Sequence, residues 1–398
     1  MKMEDKAFSI QPADRLADVK EYYFSRKLKE VAAMNAEGKD IISLAIGSPD
    51  MPPSPETVET LCTEARKPTA HGYQPTMGTP ELRQAMAGFY KRWFGVELDP
   101  KTEIQPLIGS KEGILHVTLA FVNVGEEVLV PNPGYPTYTS LSKLLGAKVV
   151  NYDLLPENGW QPDFEALEKT DLSHVRLMWT NYPNMPTGAK ARRETYERLV
   201  DFALRHNIVI VNDNPYSFIL NEGERLSILQ VPRAKECCIE FNSMSKSHNM
   251  PGWRVGLLAS NQQFVQWILK VKSNIDSGTF RAIQLAAAKA YDNSELWHQQ
   301  ANVETYTPRR HKAEEIMRLL DCQFDPNQTG MFLWGRIPDS YTDAEELTER
   351  VLHEARVFIT PGFIFGSNGS RYIRISLCAK EEKIAEALRR IKEAMALS

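Results

Sequence analysis

Between about residue 100 and about residue 260, short apolar runs alternate with segments of helical spacing, a pattern few folds can accommodate. The runs cover 127–131, 147–152, 175–180, 208–212, 237–241 and 255–259, and helical spacing occupies 112–122 and 192–205. Near-continuous apolar strands joined by helices require a mainly parallel sheet with helices on both faces, an α/β architecture. Ligands of such sheets bind beyond the carboxyl ends of the strands.

The rest of the chain is patterned differently. Its 398 residues exceed what one compact core holds, so a second body is expected. Residues 1–45 read as a polar helical arm, with Tyr22, Tyr23, Leu28 and Val31 as a modest apolar stripe. Pro49, Pro52, Pro53 and Pro55 then make 49–56 a stiff extended crossing. A long helical stretch covers 261–320, and the remainder mixes strand and helix signals before an amphipathic 380–396. The expected division is an arm at 1–45 joining a smaller α+β domain at 286–398, and a large domain at 46–285.

Charge and composition remove several function classes. A net charge of −4 gives no basic field for nucleic acid, and no helix-turn-helix pattern precedes residue 45, which sets aside a ligand-sensing regulator. No uninterrupted apolar run approaches the roughly 20 residues of a membrane helix, and the acidic N-terminus lacks a signal core. Cys62, Cys237, Cys238, Cys322 and Cys378 are scattered and spaced for neither zinc nor an ordinary disulfide. They read as free thiols of a cytoplasmic enzyme without metal.

Four segments carry chemistry. Ser243-Met244-Ser245-Lys246-Ser247-His248-Asn249-Met250-Pro251-Gly252-Trp253-Arg254 links one apolar strand to the next. A lysine just past a strand end, flanked by hydroxyls and followed by an arginine, suits an aldehyde cofactor that carries a phosphate. The amine forms a Schiff base when neutral, and nearby cations depress its pKa. Ser243, Ser245 and the planar fork of Arg254 offer donors to phosphate. The plain alternative is a polar loop with a solvated lysine. Val209-Ile210-Val211-Asn212-Asp213-Asn214-Pro215-Tyr216 is an apolar strand ending in a carboxylate. A fixed carboxylate keeps a pyridine nitrogen protonated, and Tyr216 is placed to donate to a phenolic oxygen of the same ring. The alternative there is an Asp-Asn-Pro turn. Leu107-Ile108-Gly109-Ser110-Lys111-Glu112-Gly113 opens a helix whose amides can approach a phosphate, or is merely a cap. Pro133-Gly134-Tyr135-Pro136 sets an aromatic ring after a strand, against a cofactor face or simply in a turn.

Joined by Ile46-Gly47-Ser48-Pro49-Asp50, Gly72-Tyr73-Gln74-Pro75, Gly78-Thr79-Pro80-Glu81-Leu82-Arg83, Asn181-Tyr182-Pro183-Asn184-Met185-Pro186-Thr187-Gly188 and Tyr372-Ile373-Arg374-Ile375-Ser376, these segments match one family in order and spacing. Over nearly its whole length the chain resembles the fold-type-I pyridoxal-phosphate (PLP) enzymes, specifically class I/II aminotransferases. The resemblance implies that Lys246 holds PLP as an internal aldimine and then shuttles a proton between the substrate α-carbon and the cofactor's C4′. It implies that Asp213 pairs with the ring nitrogen, Tyr216 with the phenolic oxygen, and that Tyr135 stacks on the ring. Ser110, the Lys111 amide, Ser243, Ser245 and Arg254 would hold the phosphate. Arg374 would pair with the substrate α-carboxylate beside the Gly47 backbone. Tyr73 would reach the neighbouring subunit's site, making a homodimer obligatory.

Strand alternation agrees about Arg374, setting it with Tyr372 and Ser376 opposite Ile373, Ile375 and Leu377; Arg371 falls on the isoleucine side. The sequence departs from the family once. Met185 stands where the family has an asparagine that bonds the phenolic oxygen, and Asn184 is expected to take over that contact. The implied activity is transfer of an amino group between an amino acid and a 2-oxo acid in two half-reactions. A PLP-dependent carbon–sulfur β-lyase on the same scaffold is the alternative. Substrate choice carries no readable motif; Tyr22, Tyr23, Ile46, Phe363 and Phe365 are candidates for a side-chain pocket or for core packing.

Overall fold

A computed structural model describes residues 9–17 and 23–396, so Tyr22 lies outside the described residues. Seven strands form the main sheet in the order Ile104–Leu107, Gly256–Ala259, Cys238–Ser243, Val209–Asp213, Val175–Thr180, Glu127–Asn132, Lys148–Asp153. Gly256–Ala259 runs antiparallel to both neighbours, and every other pairing is parallel. All six apolar runs of the sequence become strands. The seventh, Ile104–Leu107, sits at an edge, where Pro106 costs no ladder bond on its free side.

The period-2 alternation sorts side chains into two cores. Val128, Val130, Leu177, Trp179, Val211, Ile239 and Phe241 face the helices Ser110–Phe121 and Gln262–Lys272, which contribute Ile114, Val117, Val265 and Ile268. Leu129, Met178, Ile210 and Cys238 face the opposite way, against Pro80–Phe94 and Arg193–His206. Thr79 starts the first of these two helices by accepting the Leu82 amide, with Pro80 at its first position; Gly95, at φ 64°, ends it.

A second, smaller sheet is antiparallel and orders Thr360–Pro361, Tyr372–Ser376, Phe332–Arg336. It shares a core with the helices Thr307–Leu319, Ala344–Ala355 and Glu381–Ala396. The helix Tyr23–Ala36 packs Val31 and Met34 against Leu352 and Phe358, and its buried Lys27 pairs with Glu349 at 2.6 Å. Ile42–Ser43 then adds a parallel strand to Val357–Phe358. Position 285 falls inside the helix Arg281–Asp292, whose Ala287 and Tyr291 belong to the main sheet's core, so the change of core comes after this helix. Among the described residues, no helix is long and apolar enough to cross a membrane.

The proline-rich crossing is pinned between these bodies. Arg309, 6% exposed, donates to both oxygens of Asp50, at 2.7 and 3.0 Å, and to the Leu377 carbonyl at 3.2 Å. Removing one partner of such a pair leaves a charge enclosed without compensation. Asp50→Ala is therefore expected to lower unfolding stability by about 3 kcal/mol, measured by urea titration. An unchanged midpoint would show that the pair does not hold the crossing.

Candidate active site

Five strand ends of the main sheet open onto one cleft of about 410 Å³. Its lining includes Gly47, Ser110, Lys111, Tyr135, Asp213, Tyr216, Ser243, Ser245, Lys246, Arg254 and Arg374. Residues far apart in sequence thus converge where a mainly parallel sheet places its ligands.

Lys246 lies in a single helical turn, Met244–Ser247, that Ser243 caps by accepting the Ser245 amide at 3.2 Å. Its Nζ donates to the Gly47 carbonyl. Desolvation lowers the lysine pKa; Cys378 opposes this, and Arg374 and Arg254 reinforce it. A neutral amine, the form that attacks a carbonyl, is thereby made more accessible.

Asp213 ends a central strand and is buried. Its Oδ2 accepts the Tyr138 hydroxyl at 2.8 Å, while Oδ1 is buried with no hydrogen-bond partner among the described residues. Burial pushes the carboxyl up to about 6, and the Tyr138 bond only partly offsets it. Tyr138 is itself fixed by stacking on Trp179, with ring centroids 4.9 Å apart. Asn181 braces the strand end by donating to the Asp213 carbonyl at 2.6 Å. Tyr216 and Tyr135 stand beside this carboxylate, both with hydroxyl pKa values raised by burial.

At the other end of the cleft, hydroxyl and guanidinium donors converge. Ser110 Oγ is buried and has no partner among the described residues. Arg254 reaches across from the lysine loop, its Nη1 3.5 Å from Ser245 Oγ and its Nη2 3.4 Å from the Ile108 carbonyl. Gly109, at φ +75°, lies so close to that guanidinium that a Cβ would collide with it.

Arg374 enters from the small sheet. Its Nη2 donates to the Ala45 carbonyl at 2.9 Å, its Nη1 lies 3.4 Å from Met185 Sδ, and its guanidinium sits 3.9 Å from the Phe332 ring centroid. Ile373 and Ile375 point into the core, as alternation requires, whereas Arg371 binds the carbonyls of Pro338 and Thr342 away from the cleft. Gly47 must be glycine here, because a Cβ would strike the Phe332 ring.

Two expected residues are not brought to this cleft. Asn184 does not replace the missing asparagine: its Oδ1 accepts the Thr187 hydroxyl at 2.7 Å and its Nδ2 donates to the Asn181 carbonyl at 3.1 Å. The turn consumes it, and Met185 faces the cleft instead. Tyr73 is 95% exposed on the surface. Of the pocket candidates, Phe365 packs 4.6 Å from the Arg374 guanidinium, Tyr23 packs on Phe363, and Ile46 is half exposed; none of them lines the cleft. Tyr138, Asn181 and Phe332 were not singled out by sequence; only the three-residue spacing of Tyr138 from Tyr135 hinted at the first.

The donor set fits pyridoxal phosphate. An unpartnered buried carboxylate oxygen suits a protonated ring nitrogen, a buried hydroxyl and an arginine suit a phosphate, and a desolvated lysine suits an aldehyde.

Comparison with known proteins points the same way. The family model for aminotransferase class I and II matches residues 39–391. The LL-diaminopimelate aminotransferase of Oleidesulfovibrio alaskensis is 42% identical over 381 residues, covering 95% of this chain and 98% of that protein. The LL-diaminopimelate aminotransferase of Dehalococcoides mccartyi is 40% identical over 378 residues, covering 95% and 97%. Among solved structures, substrate-bound BacF of Bacillus subtilis is similar with a TM-score of 0.91 and 32% identity, covering 97% of this chain and 98% of that one. These two relatives are aminotransferases, and the carbon–sulfur lyase alternative has no support.

The raised Asp213 carboxyl has a measurable consequence in the cofactor-free chain. Its folded value, about 6, exceeds the ordinary 3.8, so between those pH values the folded chain holds a proton that the unfolded chain has released. Stability therefore falls as pH rises through that window, by about 3 kcal/mol once Asp213 is ionised. Asp213→Asn should flatten this slope in denaturant titrations from pH 4 to pH 7. Equal slopes in the two proteins would contradict it.

Proposed function

The chain belongs to the class I and II aminotransferase family and moves amino groups between amino acids and 2-oxo acids with pyridoxal phosphate; we propose that Lys246, Asp213 and Arg374 carry the reaction and that LL-diaminopimelate is an amino donor. The observation behind this reading is the meeting of a desolvated lysine, a half-satisfied buried carboxylate and a buried arginine in one cleft.

When bound, the cofactor supplies the electron sink that makes a substrate's α-proton removable. Lys246 Nζ would hold the cofactor's aldehyde end, and its amine, when free, would move a proton between the substrate's α-carbon and the cofactor, a role worth roughly 10²–10⁴-fold in rate. The Asp213 charge holds the ring nitrogen protonated. Tyr216 donates to the phenolic oxygen, and it does so without a second donor because Met185 has none. Tyr135 covers the ring face. Ser110, the Lys111 amide, Ser243, Ser245 and Arg254 hold the phosphate. Arg374 orients the α-carboxylate through its two-pronged fork, with the Gly47 peptide alongside. Phe332, Tyr216 and Pro215 give the cleft an apolar wall.

The donor assignment draws on the relatives and on one feature of the cleft. LL-diaminopimelate carries a second amino-carboxylate group, and Lys111, an exposed residue of the cleft's lining, has no acid partner among the described residues. A distal carboxylate has a counter-ion there. A homodimer in which Tyr73 serves the neighbouring site, residence in the cytoplasm, and an arm, a large and a small domain that part after Asp292 belong to the same proposal.

The deciding experiment supplies LL-diaminopimelate without a 2-oxo acid. The native protein should convert its bound cofactor to the amine form once and stop, restarting when a 2-oxo acid is added. Lys246→Ala should not perform even the first conversion at a comparable rate. Continuous ammonia release would contradict transamination. Comparable or better kcat/KM with aromatic or aliphatic donors would remove LL-diaminopimelate alone.

A further inference from the structure

Beneath the phosphate end of the cleft lies a set of ions that the reaction does not use. Glu112, in the first turn of Ser110–Phe121, accepts the Ile108 backbone amide on Oε2 at 2.5 Å; its Oε1 accepts His116 Nε2 at 2.8 Å and Lys272 Nζ at 2.6 Å. Lys272, 2% exposed in the last turn of Gln262–Lys272, reaches on to Asp276 Oδ2 at 2.5 Å. Asp276 holds the Gly278 amide at 2.9 Å, and its carbonyl accepts the Thr76 hydroxyl at 3.3 Å. Gly278, at φ +81°, is pressed so closely on the Gln74 and Pro75 carbonyls that a Cβ would sit 2.7 Å from each. An unbroken line of bonds thus joins residue 108 to the surface segment that displays Tyr73.

Residue 108 is clamped at both ends, its amide by Glu112 and its carbonyl by Arg254. Ser110 and Lys111, two and three residues further on, line the cleft. Burial acts to raise the Glu112 carboxyl, yet the bonds from His116 and Lys272 bring it down to about 2, so it remains an anion. An anion directly under a phosphate site repels the phosphate unless a cation cancels it. Lys272 is that cation, and its enclosure leaves it little screened by solvent.

We infer that Glu112 and Lys272 are positioning residues for the cofactor's phosphate. Glu112 sets the Ile108 peptide so that the following amides face the anion. Lys272 offsets one of the two carboxylate charges it bridges, Glu112 and Asp276, and ties the loop to the segment bearing Tyr73. The inference rests on the reading that Ser110, Lys111 and Arg254 hold the phosphate.

The test compares affinities for pyridoxal phosphate and for pyridoxal, which lacks the phosphate, by absorbance titration of cofactor-free protein. The native chain should prefer the phosphorylated form strongly. Lys272→Met should erode that preference by at least about tenfold while changing pyridoxal affinity by less than about threefold. Glu112→Gln combined with Lys272→Met, which removes both charges and keeps an acceptor for Ile108, should recover most of it. A preference unchanged in Lys272→Met, or a double variant no better than the single one, would overturn the inference. If Lys272→Met does not fold, Glu112→Leu against Glu112→Gln carries the test: the leucine variant, without an acceptor for Ile108, should lose the preference and the glutamine variant keep it. Equal behaviour of those two overturns the inference as well. A native chain with no preference at all would instead refute the phosphate site itself.

Discussion

Asp213 is a carboxylate enclosed by protein with only one oxygen hydrogen-bonded by a side chain, and the other parts of the site are arranged around that imbalance. Removing a charged group from water is costly unless a partner replaces the water. Tyr138 supplies part of the replacement at Oδ2, and the proposed role of a cationic ring nitrogen is to supply the remainder at Oδ1. The strain is confined to one atom because the surroundings are rigid: Tyr138 is stacked on Trp179, and Asn181 holds the peptide of the strand end. The pKa that the cofactor must lower by binding is the one that burial has raised.

The cleft is built from both sheets. The main sheet contributes Asp213, Lys246 and the Ser110, Ser243 and Ser245 hydroxyls, whereas the small sheet contributes Arg374 and the Phe332 ring beneath it. Between them runs the crossing that begins at Gly47, held at one end by Arg309 and pressed at the other against Phe332. Met185 and Tyr216 pack in the small sheet's core although they follow strands of the main sheet, so the two bodies share a side-chain interface at the reacting centre. The buried Arg374 guanidinium lies against two aromatic faces, 3.9 Å from the Phe332 ring centroid and 4.6 Å from that of Phe365.

Much of this was legible in the residues themselves, for identifiable reasons. Five of the six apolar runs became strands buried along most of their length; the sixth, Lys148–Asp153, is the sheet's other edge and buries only Tyr152 fully. Ile104–Leu107 forms no such run, since Gln105 and Pro106 interrupt it and only an edge tolerates them. The reactive residues sat in ordered motifs, and the fold brought all but two of them to one place. Asn184 shows that adjacency in sequence does not preserve direction: its side chain bonds Thr187 within its own turn. The Tyr138–Asp213 and Glu112–Lys272 contacts carry no sequence signal because the partners lie 75 and 160 residues apart, a distance over which sequence pattern says nothing about contact.

The most direct measurement is the protonation state of the cofactor's ring nitrogen, read by nitrogen NMR on protein loaded with ¹⁵N-labelled pyridoxal phosphate. The native protein should show a protonated nitrogen that stays so up to alkaline pH, and Asp213→Asn should show it deprotonated near neutrality. The same protonated signal in both proteins would mean that Asp213 does not govern the ring, and the account of this site would be wrong.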